Sequence, residues 1–146
     1  MKITTKKGYY YIEGREGLIY KRLLRKRISV KKMQIAQKSA NLLKFVPNIK
    51  MVGLTGSLAM ENSSEDGDID FLIITKQDGL WITRLLVYFL LHTTGHLLRK
   101  PRVKNERDAL CLNMWLDESD LVWGKKDRNI YTAHEIAQII HLVNKD

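Results

Sequence analysis

Cysteine is almost missing from this chain. Cys111 stands alone among 146 residues, which excludes an internal disulfide framework and a cysteine-rich zinc site. Long apolar runs are missing as well. The most apolar stretch, 80–98, is interrupted by Arg84, His92, Gly95 and His96, and its uninterrupted part, 85–91, is too short to cross a bilayer. The N-terminus carries Lys2, Lys6 and Lys7 ahead of only a short mixed run, which is not the pattern of a secretory signal. No internal repeat or low-complexity segment is present. The default expectation is therefore a soluble, cytoplasmic protein.

What is present is an ordinary globular balance, 45% apolar and 28% charged, enough for one core without staples. The net charge of +9 is unevenly placed. Residues 1–50 hold 14 Lys and Arg against Glu13 and Glu16, a balance of +12; residues 51–146 hold 11 against 14 acids, a balance of −3. A basic front suggests a polyanionic partner, nucleic acid first, or simply a solvated helix face.

Periodicity predicts two short strands over 2–5 and 9–12 around the turn Lys6-Lys7-Gly8, then an amphipathic helix from Glu16 bearing Ile19, Tyr20, Leu23 and Leu24. Ser29 is expected to cap a second helix, which Pro47 stops. Strands follow over 49–55, 69–75 (IDFLIIT) and 110–116, with a helical turn or two at 57–61 and a long, mostly buried helix over 80–94. Residues 99–108 form a basic loop, 121–123 a possible short strand, and Thr132 caps a last helix reaching Val143. The alternation implies an α/β or α+β domain, residues 30–146, with a small mixed central sheet flanked by helices, preceded by a basic hairpin and helix, residues 1–29.

Two features carry chemistry. Gly56-Ser57 lies where a strand gives way to a helix, a place where glycine lets backbone approach a ligand and free N–H groups favour phosphate oxygens. Asp68-Ile69-Asp70 opens the next strand, eleven residues after Ser57. Strand residues two apart share a face, about 6.6–7 Å apart. Asp68 and Asp70 thus present two carboxylates together, a donor set suited to Mg²⁺ held jointly with substrate phosphates.

The segment MVGLTGSLAMENSSEDGDIDFLII resembles the DNA polymerase β-type nucleotidyltransferase superfamily. With LWITRLL, CLNMWLDES and YTAHEIAQ, it resembles bacterial nucleotidyltransferase-domain proteins over most of residues 8–146. The resemblance implies a polymerase β-like fold and a transfer, dependent on Mg²⁺ (or Mn²⁺), of a nucleoside monophosphate from a nucleoside triphosphate to an acceptor hydroxyl. It assigns Gly56 and Ser57 to the phosphate-binding turn and Asp68 and Asp70 to the metal. The third carboxylate of the family falls, on this alignment, at Asn113, which cannot act as a base. Asp117 shares that face but lies about 13 Å further along. Arg84 is a candidate phosphate contact or a structural ion pair. His92 and His96 share a helical face without a third ligand in register, and His134 and Glu135 are expected at the surface. The asparagine favours an alternative, a catalytically weak domain that senses or adapts through bound nucleotide or nucleic acid. Another is a regulatory protein whose basic residues 21–32 dock on DNA or a protein. The front hairpin and helix resemble the wing and trailing helix of a winged-helix module, and the chain reads as a fragment or short relative of a longer two-part protein.

Overall fold

A computed structural model describes residues 2–99 and 107–145. Strands β1 (Ile3–Lys6) and β2 (Tyr9–Ile12) form an antiparallel hairpin closed by Lys7 and Gly8. Both of those residues have positive φ, 53° and 78°, the mirror-type turn whose twist matches that of two strands.

Helix α1 runs unbroken from Gly17 to Leu43. The two helices expected around Ser29 are one, and the proposed boundary at 29/30 falls inside it. Ser29 does not cap anything: it is buried, and its Oγ accepts from the Ser63 N–H at 3.1 Å. The buried residues of α1 are Ile19, Ser29, Lys32, Ala36, Ser39, Ala40 and Leu43. Three of these seven are polar, so the sequence pattern suggests a break where none exists.

The central sheet contains β3 (Ile49–Leu54), β4 (Ile69–Thr75), β5 (Leu110–Asp117) and β6 (Ile140–Asn144), in the order β5-β4-β3-β6. Strands β4 and β5 are parallel, joined through α3 (Leu80–Thr93); the other pairs are antiparallel. Short helix α2 (Gly56–Ala59) follows β3, and α4 (Ile130–Ala137) precedes β6. The protein is thus a mixed α/β fold with a four-stranded mixed sheet and a separate hairpin.

The last helix is shorter than expected. Asn129, not Thr132, caps it; Thr132 is the reciprocal partner in a capping box. The helix ends at Ala137, and the remaining apolar residues form β6. Strand β3 has β4 on one side only, and β6 supplies hydrogen-bond partners for its other edge. Gly53 permits this, since a Cβ there would stand 2.8 Å from the Ile139 side chain. Residues 121–123 form no strand; a 3₁₀ turn follows at Lys125–Asp127.

The two faces of the sheet differ. Ile69, Phe71 and Ile73 are fully buried against Ala36, Ala40 and Leu43 of α1 and Val87 and Leu91 of α3. By strand alternation Asp70, Leu72 and Ile74 occupy the opposite face. Helix α3 is not mostly buried: its inner side packs through Thr83, Val87 and Leu91, while Trp81, Ile82, Leu85 and Phe89 are exposed. Among the described residues, no helix is long and apolar enough to cross a membrane.

Candidate metal and phosphate site

The end of β3, the start of β4 and the start of β5 meet at one corner of the sheet. Leu54 pairs with Phe71 in the core, so the next residue, Thr55, in extended conformation, falls on the Asp70 face. Its N–H donates to the Asp70 carbonyl at 2.9 Å. The chain then turns at Gly56, with φ 65°. A Cβ at this position would overlap Asp70 Oδ2 and lie 3.1 Å from its Cγ. Glycine is required here twice, for the left-handed backbone and for contact with the carboxylate. Ser57 is exposed at the first turn of α2.

Asp68, Asp70 and Cys111 place a carboxylate oxygen each and the sulfur within 4.8 Å of one another. The expected carboxylate pair is therefore assembled, but the residue beside it differs from expectation. Asp70 pairs with Cys111, and Leu72 with Met114, so an extra residue is accommodated between them. Asn113 falls in that irregularity and is exposed. The observed pairing sets Cys111, two residues before the aligned Asn113, beside Asp70, and the bulge that takes up Asn113 follows that pair. Asp117 pairs with Thr75 at the far end of β5, where Ser119 holds it.

Arg84 is not part of this corner. Its guanidinium stands 5.8–5.9 Å from the ring centroids of Trp81, Tyr88 and Trp115. Trp115 pairs with Ile73, on the helix-covered face, so the sheet lies between Arg84 and Asp70. The arginine that does reach the carboxylates is Arg99, whose Nη1 lies 2.6 Å from Asp68 Oδ2 and 3.7 Å from Cys111 Sγ. Its backbone N–H donates to Leu110 O, which fixes it alongside β5. Sequence pattern alone places Arg99 in a basic loop, because nothing local reveals that the chain folds back beside β5. Residues 100–106 of that loop lie outside the described residues. Glu135, expected simply at the surface, lies on α4 close enough for its charge to reach Asp70.

Burial, and then the Asp68 charge, push the Asp70 carboxyl above its usual range; the Cys111 thiol and Arg99 pull partly the other way. Burial likewise raises the Cys111 thiol, which Arg99 partly offsets. The ionised Asp70 therefore costs stability. That cost is absent below the ordinary aspartate pKa and complete above the raised folded value. Asp70→Asn should raise the melting temperature by a few degrees at neutral pH in chelator. The gain should vanish on acidification below about pH 4. Asp68→Asn, which forfeits the Arg99 ion pair, should show no such gain. Melting curves across pH check both.

The donor set fits a divalent cation. Two hard oxygens suit Mg²⁺ or Mn²⁺, and Cys111 adds a softer donor that favours Mn²⁺ of the two. The Thr55 hydroxyl, buried on the same face, has no protein partner among the described residues. No other His, Cys, Asp and Glu cluster of this kind occurs among the described residues. His92 is exposed, and His96 Nδ1 is 2.9 Å from Thr94 Oγ1.

The basic stretch 21–32 is partly consumed inside the molecule. Arg22 donates to the carbonyls of Met60 and Glu61, Arg25 to Asn62 Oδ1 at 3.4 Å, and Lys26 pairs with Glu61 at 2.9 Å. Lys32 is buried. Lys21, Arg27 and Lys31 remain exposed.

Compared with family models, with curated proteins and with solved structures, the chain matches none.

Proposed function

We propose that this chain is a polymerase β-type nucleotidyltransferase domain that uses Mg²⁺ or Mn²⁺ to move a nucleoside monophosphate onto an acceptor hydroxyl. The observation that carries the reading is the packing of Gly56 on Asp70: two sequence-distant elements, one suited to phosphate and one to metal, form a single corner. Asp68 and Asp70 would hold the cation, which supplies charge neutralisation on the phosphate oxygens. Gly56 and Ser57 orient the triphosphate chain. The acceptor oxygen bonds to the α-phosphorus, the α–β bridging oxygen leaves with pyrophosphate, and the acceptor proton passes to water. Arg99 balances the charge of the carboxylates through its ion pair with Asp68.

A second reading, a nucleotide-binding domain with weak or no turnover, is favoured by Cys111. A thiol pushed up by burial stands opposite Asp70, where the family resemblance implies a carboxylate. One experiment separates the two. The protein is incubated with each nucleoside triphosphate, Mn²⁺ or Mg²⁺ and cell extract, with pyrophosphate release and label transfer followed beside calorimetric binding. Transfer lost in Asp68→Asn/Asp70→Asn supports the first reading. Binding without transfer supports the second, and neither in wild type overturns the site.

A further inference from the structure

Helix α3 is apolar on both sides. Its inner side is in the core, yet its outer side exposes Trp81 (77%), Ile82 (51%), Leu85 (66%), Tyr88 (38%) and Phe89 (68%). At 100° per residue these five fall in one arc of about 120°. A helix apolar all round belongs in an interior, so this face has a partner.

We propose that the partner is a second copy of this chain, with two α3 helices packed antiparallel about a two-fold axis at Leu85. Three observations select it. The stripe is self-complementary: Trp81 and Phe89 lie four residues either side of Leu85, so a two-fold there sets each Trp81 against the partner's Phe89. The stripe also has no charged residue of its own; the one charged residue of α3, Arg84, stands at its edge against the Trp81, Tyr88 and Trp115 rings. A single cation at the edge of an apolar face is too little to hold a polyanion. Finally, the exposed apolar area is on the order of 600 Å² per copy, so two copies bury about 1,200 Å², the size at which specific dimers become stable.

The rest of the molecule, at net +9, repels a second copy, so the dimer should tighten with added salt, opposite to nucleic-acid binding. Sedimentation equilibrium of the full chain from about 1 to 100 μM should show a monomer–dimer equilibrium. Leu85→Lys, at an exposed position, should fold normally and weaken it at least about 100-fold, since both copies lose the contact and gain a charge at the axis. In a Cys111→Ala background, Leu85→Cys should cross-link with itself on oxidation. Trp81→Cys should cross-link with Phe89→Cys when mixed, and not alone. A wild type that is monomeric at 100 μM, or a dimer that Leu85→Lys leaves intact, overturns the proposal. So does binding to anionic lipid vesicles by a monomer when Leu85→Lys abolishes that binding, which would assign the face to a lipid surface. The outcome does not depend on the metal site.

Discussion

Gly56→Ala should cost about 100-fold in metal–nucleotide binding and transfer while leaving the protein folded. Two penalties meet at this position. A residue with a Cβ in the left-handed region costs about 1–2 kcal/mol. The new methyl would also overlap the Asp70 carboxylate, and relief requires Asp70 or the turn to move by about an ångström. Displacements of that size at reacting groups cost about 10²-fold. The stability loss should stay near the backbone term, because Asp70 is already held at a cost. Gly14→Ala separates the two penalties: Gly14 also has positive φ, 82°, and a Cβ there would meet nothing within 4 Å. It should show a similar fall in melting temperature and unchanged binding. Calorimetric titration with Mn²⁺ and a nucleoside triphosphate, beside thermal melts, reads both. Equal binding by Gly56→Ala and wild type would mean that the turn does not shape the site.

Asp108→Ala should be the most destabilising single change at a charged residue, about 2–3 kcal/mol. Lys32 lies inside the fold, its side chain only 3% exposed, with Nζ 2.8 Å from Asp108 Oδ1 and donating to the Gly67 carbonyl. This one ammonium joins α1 to the segments that lead into β4 and β5, and so to the two strands that carry Asp70 and Cys111. Removing the partner of a buried charge costs about 3–5 kcal/mol, and the 30% exposure of Asp108 places this case at or below the lower end. Lys32→Met removes the charge as well as the pair and fills the same space, so it should cost about 1 kcal/mol. The order is the test. At about 2–4 °C per kcal/mol, Asp108→Ala should melt roughly 5–10 °C below wild type and Lys32→Met only a few degrees below. The reverse order would show that the buried amine is accommodated without its carboxylate.

Both predictions rest on contacts between residues far apart in sequence, and the same distinction separates what is readable along the chain from what is not. The strand Ile69–Thr75, the pairing of Asp68 with Asp70, the Gly-Ser turn and the front hairpin are all legible in the residues themselves. Each depends on neighbours two to four residues away, through strand alternation or turn conformation. The remaining features come from long-range packing. The register of β5 on β4 sets Cys111, not Asn113, beside Asp70. The fold-back beside Leu110 brings Arg99 to Asp68. The unpaired edge of β3 draws residues 140–144 out of a helix and into the sheet. Ser29 and Lys32 are polar residues that α1 buries because Ser63, Gly67 and Asp108 meet them there, partners that no local pattern could announce.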